Sequence, residues 1–317
     1  MSLSVLILGG SGFVGRALCE QLTRQLGADV RITVPTRRLA HGKSVQSLPG
    51  VTVVQADVFH DLPRLVPGHD AVVNLIAILQ GSAAAFEHVH VELPRRIAAA
   101  LAGSPVRRLV HVSALGVGDQ APSRYLRSKA AGEAVLQVAA QTHDLALTLV
   151  RPSLIFGEGD ASVNLFARLQ GLFPLMPLAG ASAQLQPVWV QDVARALTQV
   201  LLSREAIGQT YEIAGPRVLT LGDLVRLAGQ VAGHPRPVLP LPGPLATLQA
   251  LAMECLPGEP LMSRDNLGSL SVPNVASGRL PGLAELGITP ASLEAVLPTY
   301  LGSGGGVSRL DAWRARH

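Results

Sequence analysis

A short apolar segment, residues 4–8 (Ser-Val-Leu-Ile-Leu), runs directly into Gly9-Gly10-Ser11-Gly12-Phe13-Val14-Gly15, and residues at helical spacing continue as far as Leu26. Glycine at 9, 12 and 15 supplies three different things: a tight turn, a backbone that a phosphate can approach, and a helix that sits close on its strand. The helix then offers unpaired N–H groups and the positive end of its dipole to an anion. A strand, this loop and a helix at the head of an alternating chain are what cradles a dinucleotide pyrophosphate. Gly9, Gly12, Phe13, Val14 and Gly15 are the candidate contacts, and Arg16, directly after the last glycine, is a candidate for a phosphate on the adenosine ribose.

The rest of the first half agrees with that loop. β-branched and aliphatic runs at 30–34, 51–55, 71–75, 109–113 and 146–150 read as strands, and 12–26, 87–102 and 125–142 carry apolar residues at helical spacing. Such alternation predicts an α/β fold, a Rossmann-type doubly wound parallel sheet with ligands at the carboxyl ends of its strands. After Arg151-Pro152 the pattern loosens, and prolines crowd between Pro235 and Pro244. Helices are read at 188–202, 220–232 and 245–256. The expected organisation is a dinucleotide-binding domain over 1–152, with later segments returning to it, a smaller substrate lobe mainly over 153–301, and a flexible tail over 302–317.

The end of the second strand bears on which dinucleotide. A carboxylate there holds a ribose 2′-hydroxyl, whereas a guanidinium suits a 2′-phosphate. Here the residues are Val34-Pro35-Thr36-Arg37-Arg38, with no acid. NADP(H) is therefore favoured over NAD(H), with Arg37 and Arg38 as the readers unless they are only solvated loop charges. Asp57 stands where the end of the third strand meets an adenine, and is equally a turn or cap residue. Val58 beside it and Leu75 on the fourth strand complete the candidate cofactor contacts.

The strand at 109–113 ends in Ser113, and twelve residues on comes Tyr125-Leu126-Arg127-Ser128-Lys129. Tyrosine and lysine four apart share a helix face. An ammonium beside a phenol favours the phenolate and lowers its pKa, and a serine hydroxyl nearby can bond a substrate oxygen. Ser113, Tyr125 and Lys129 are the catalytic candidates. With the glycine loop upstream, the chain resembles the extended or atypical short-chain dehydrogenase/reductase superfamily. The resemblance continues through residues 151–157 (Arg-Pro-Ser-Leu-Ile-Phe-Gly) and 187–194 (Pro-Val-Trp-Val-Gln-Asp-Val-Ala). It implies a Ser-Tyr-Lys proton transfer coupled to hydride transfer, with Lys129 also holding the nicotinamide ribose. One departure is His90, where extended members usually carry asparagine, and a packing histidine is the preferred reading. Residues 72–75, 90–92, 111–116 and 297–301 carry a finer resemblance, to bacterial relatives of the NAD(P)H-binding accessory subunit of mitochondrial complex I. That implies a cofactor-binding accessory or assembly role for a respiratory complex or quinone biosynthesis, with a protein partner, as the alternative to an enzyme with an unknown small-molecule substrate.

Composition narrows the remaining classes. Aromatics at 3% and a net charge of only +4, with no long Lys/Arg run, argue against nucleic acid as partner. Cys19 and Cys255 are too few and too far apart for a disulfide framework, and the scattered histidines lack ligand spacing, so no metal is expected. No apolar run reaches the ~18 residues of a membrane span. The expected location is cytoplasmic, or peripheral to the inner membrane if the finer resemblance carries. The apolar stretch 245–256 has no basic polar face of its own and reads as a core or interface helix.

Overall fold

The computed structural model describes residues 2–255 and 262–301; the tail expected over 302–317 lies outside them. Seven strands form one sheet: β1 Leu3–Leu8, β2 Val30–Thr36, β3 Val51–Gln55, β4 Ala71–Asn74, β5 Arg108–Val112, β6 Ala146–Pro152 and β7 Thr210–Ile213. Their order is β7-β6-β5-β4-β1-β2-β3, and every pairing is parallel. The chain therefore reverses direction across the sheet between β1 and β4, opening a crevice at their carboxyl ends. Register brings Leu8 opposite Asn74 and Asn74 opposite His111, so these ends lie level.

Alternation along the strands divides the core between two faces. Leu6, Leu8, Val72, Leu109 and Leu149 face a buried cluster with Leu62, Leu93, Ile97, Leu101 and Leu136 from the helices Val58–Leu65, Leu93–Ala102 and Arg124–His143. Val5 and Ile7, on the opposite face of β1, are equally buried. α1 (Phe13–Leu26) packs against the helix Val190–Leu202.

Two prolines leave visible marks. Pro63 lies inside Val58–Leu65 and has no N–H for the Phe59 carbonyl; Arg96 Nη1 donates to that carbonyl instead. Pro94 likewise has nothing to give the His90 carbonyl. The helical run there is an α-helix over Ala83–Glu87, a π-helical turn over His88–Glu92, then Leu93–Ala102, with the Leu93 N–H reaching back to His88. The run read from sequence at 87–102 thus begins earlier, where Ser82 caps it through the Ala85 N–H at 3.1 Å. The helix read at 188–202 begins at Val190, because Val188–Trp189 pair with Ile155–Phe156 as short parallel strands.

The chain divides into two units. The first joins Met1–Pro152 to Val190–Ile213 and Ser277–Ile288. The second takes Ser153–Trp189, Ala214–Ala276 and the chain from Thr289 onward. Its core holds Phe156, Leu178, Leu224, Val225 and Leu297. Buried Asp160 anchors the start of the helix Val163–Leu172, accepting from Ser162 N at 2.8 Å, Val163 N at 2.6 Å and Gly157 N at 3.1 Å.

Candidate active site

At the carboxyl end of β1 the loop needs its glycines for separate reasons. Gly9 has φ +83, a region side chains avoid. A Cβ on Gly15 would lie 2.3 Å from the Gly9 carbonyl oxygen, so only glycine lets α1 close on the loop. A Cβ on Gly12 would meet only that same oxygen, at 3.3 Å. Packing makes little demand at Gly12, which is solvent-exposed, and the space above it suits a phosphate. No side chain caps α1 and its first turn holds no acid. The N–H groups of Phe13, Val14 and Gly15 therefore have no intrahelical acceptor. These features fit a dinucleotide pyrophosphate.

Thr36 closes β2, its Oγ1 bonding the Arg38 carbonyl at 3.1 Å. Arg37 and Arg38 are exposed just beyond, and neither makes an ion pair among the described residues. Arg16 stands in the first turn of α1. Asp57 is the N-cap of Val58–Leu65, accepting the Phe59 N–H at 3.0 Å, so that carboxylate oxygen already has a structural task. Val58 begins the helix, and Leu75, half-buried, donates its N–H to the Leu8 carbonyl at 2.9 Å beside the glycine loop.

The second cluster gathers where β5 ends. Ser113, one residue past the strand, is tied to the Val150 carbonyl by its N–H at 2.7 Å. Its Oγ is buried and has no hydrogen-bond partner among the described residues. A buried hydroxyl in that state is costly unless something bonds it. Ser123 caps the helix Arg124–His143 through the Leu126 N–H at 3.1 Å, which sets Tyr125 and Lys129 one turn apart. Lys129 is buried, and its ammonium donates to the Val112 carbonyl at 2.7 Å, next to Ser113. Tyr125 is half-buried against the rings of His90 and Phe86.

Electrostatics departs from the expectation for the phenol. Burial pushes Tyr125 up to about 12. Burial is the cause of that rise, and the expected lowering by Lys129 is absent. Burial also pulls Lys129 down to about 8, against the opposing pull of the Glu133 carboxylate. Burial, helped by the Lys129 charge, holds His90 at about 3. The Ile78 N–H donates to His90 Nε2 at 3.1 Å, so Nδ1 carries the hydrogen and donates to Ser128 Oγ at 2.8 Å. Ser128 in turn donates to the Tyr125 carbonyl at 2.8 Å. His90 is thus a neutral, satisfied residue that braces the first turn of the helix.

Four supporting residues, Asn74, His111, Glu133 and Arg151, were not named as site candidates from the sequence. Asn74 donates to His111 Nδ1 at 3.0 Å and accepts the Ile76 N–H at 3.2 Å, locking the ends of β4 and β5 together. Glu133, one turn beyond Lys129, takes a bidentate grip from Arg151 at 2.9 and 2.5 Å. The Tyr-x-x-x-Lys-x-x-x-Glu spacing was the available signal for Glu133, since all three positions share a helix face.

The Lys129 value makes a stability prediction. Its folded value, about 8, lies below its ordinary 10.5. Between those two the unfolded chain binds the proton and the folded one does not, so stability rises with pH, by up to about 3 kcal/mol. Lys129→Met should remove that rise. The difference between wild type and variant in urea unfolding, measured across this interval, isolates it from Cys19 and Tyr125, whose raised values act in the opposite sense. Parallel pH profiles would contradict the assignment.

The sequence profile of the NAD dependent epimerase/dehydratase family matches residues 5–214. The chain belongs to that family. Among similar members, the mouse (Mus musculus) protein named NADH dehydrogenase [ubiquinone] 1 alpha subcomplex subunit 9, mitochondrial is 30% identical over 299 residues, covering 91% of this chain and 77% of its own. Ceramide reductase of Caulobacter vibrioides is 28% identical over 245 residues, covering 76% of this chain and 74% of its own. The epimerase/dehydratase fold is matched by UDP-glucuronic acid 4-epimerase from Bacillus cereus, solved with UDP-glucuronic acid and NAD, at TM-score 0.72 and 17% identity over 94% of this chain and 98% of that one. Among the described residues of this epimerase/dehydratase member, no group of side chains is arranged to hold a metal, and no helix is long and apolar enough to cross a membrane.

Proposed function

We propose that this chain is an NADP(H)-dependent oxidoreductase that reduces a carbonyl substrate. Ser113 carries the reading: a buried hydroxyl without a partner, next to the carbonyl that holds the Lys129 ammonium. A bound nicotinamide supplies the hydride. Ser113 Oγ bonds the substrate oxygen, and Tyr125 gives it a proton, so that hydride and proton together convert carbonyl to alcohol. A phenol held at about 12 keeps its proton at neutral pH, the form needed to donate in the reductive direction. Lys129 keeps a donor at the end of β5 for the ribose hydroxyls. The reductase named among the relatives supports the same direction.

A second reading rests on the 30% identity to the complex I subunit over 91% of this chain. In it the protein holds NADPH without turning it over, as an accessory or assembly partner of a respiratory complex or of quinone biosynthesis. Incubating the NADPH-loaded protein with a panel of aldehydes, ketones and quinones separates the two. Oxidation that Ser113→Ala abolishes supports the enzyme; bound NADPH that no member of the panel oxidises supports the accessory role.

Choice of dinucleotide is tested at the end of β2. Arg37→Ala is expected to weaken NADPH binding about tenfold or more, the worth of one charge-assisted contact, and to leave NADH binding nearly unchanged. Calorimetric titration with both cofactors reads this directly. Equal wild-type affinities would remove the 2′-phosphate role from Arg37 and Arg38.

A further inference from the structure

Behind Lys129 the first unit carries a line of buried charge that the proton transfer itself does not use. Glu133, 3% exposed, follows Lys129 by one helical turn, so the two share a face of the helix Arg124–His143. Arg151 on β6 grips the Glu133 carboxylate through Nε at 2.9 Å and Nη2 at 2.5 Å. On the next strand Glu212 of β7 stands in register with Arg151 and accepts the Ser277 N–H at 2.5 Å. Charge therefore alternates from Lys129 through Glu133 and Arg151 to Glu212. No ion pair joins Lys129 directly to Glu133 among the described residues; the ammonium instead donates to the Val112 carbonyl at 2.7 Å.

We infer that Glu133, held back by Arg151, is a positioning residue for dinucleotide binding: its carboxylate keeps the buried Lys129 ammonium charged without occupying the donors that a ribose diol needs. A buried ammonium with no negative charge near it tends to lose its proton. A carboxylate in direct contact would restore the charge and take up the N–H groups. The guanidinium fork fixes both Glu133 oxygens, so the carboxylate acts on Lys129 through space, and the remaining N–H groups of the ammonium stay available at the end of β5. The other titratable groups around Lys129 cannot replace it. His90 on the π-helical turn and His111 on β5 are neutral, because burial lowers both, and Tyr125 on the same helix keeps its proton to about 12. The inference rests on Lys129 holding the ribose of a bound dinucleotide, and is the same whether or not that cofactor is turned over.

Fluorescence titration with NADPH, repeated across the pH interval in which Lys129 loses its proton, tests it. A ligand that prefers the ammonium binds at full strength below the Lys129 value in the free protein, about 8, and progressively less tightly above it. Glu133→Gln is expected to move that fall to lower pH by about one unit. Glu133→Asp keeps the charge and should hold the wild-type midpoint even if it lowers stability. Since Glu133→Gln leaves Arg151 short of a partner, the double variant E133Q with R151Q, which removes both charges, is measured beside it and carries the same expectation. An unmoved midpoint in the folded Gln variants, or an equal shift with Glu133→Asp, overturns the proposal alone. A wild-type protein that binds no NADPH at any pH overturns the dinucleotide reading and this proposal with it.

Discussion

Gly12→Val is expected to give a folded protein that no longer binds a dinucleotide. The position is unusual within its loop, since a Cβ there approaches only the Gly9 carbonyl oxygen, at 3.3 Å, whereas one at Gly15 would overlap the loop backbone. The valine methyls would occupy the space that a pyrophosphate needs above the first turn of α1. Overpacking costs about 1–3 kcal/mol, and each charge-assisted N–H bond lost by a displaced phosphate about 1.5–3 kcal/mol more. Together these put the loss of affinity on the order of a hundredfold or greater. Fluorescence titration with NADPH measures it, and thermal unfolding without cofactor checks the fold. A folded variant with wild-type affinity would place the ligand elsewhere.

Tyr125→Phe is the second large effect. Only a hydroxyl is removed, and the ring keeps its packing against His90 and Phe86. Loss of a positioned proton donor lowers kcat by ~10²–10⁴, while NADPH affinity should hold, because the tyrosine oxygen is assigned to the substrate and not to the cofactor. In a genetic background where glycine-loop variants have a phenotype, Tyr125→Phe should share it if the protein is an enzyme. A phenotype from the loop alone, with none from Tyr125→Phe, rejects the catalytic reading in favour of the accessory one.

Much of the first unit was legible because parallel strands buried on both faces read as continuous aliphatic runs, and because the glycine loop has a fixed place before α1. What sequence reading missed depends on contacts made far along the chain. β7 is only Thr-Tyr-Glu-Ile, too short and mixed to declare itself, and it is a strand because β6 offers an edge. The helix Val58–Leu65 was hidden by Pro63, whose missing donor is made good by Arg96 from another helix. In the candidate site, spacing, chain order and the resemblance together named Ser113, Tyr125 and Lys129 as candidates. The state of the phenol was not legible there, since it depends on burial that only the fold creates. Asp57 shows the reverse case, where both readings of one residue were available and the structure gives its side chain the capping task.

The segmental make-up of the first unit has a consequence for how the protein is synthesised. Arg108 binds the Ala146 carbonyl at 2.7 Å, Thr148 Oγ1 at 2.9 Å and the Val200 carbonyl, so one guanidinium fastens β5, β6 and the helix Val190–Leu202. On the ribosome, the first two partners emerge well before the third, with a stretch of the second unit translated between them. At about 5–20 residues per second, that leaves an interval on the order of several seconds. During it β6 is a bare sheet edge and α1 lacks the helix that covers it, the kind of surface that recruits other nascent chains. The part of the sequence that looks like a self-sufficient N-terminal module is therefore finished late, and cutting the chain after Pro152 would make that transient exposure permanent.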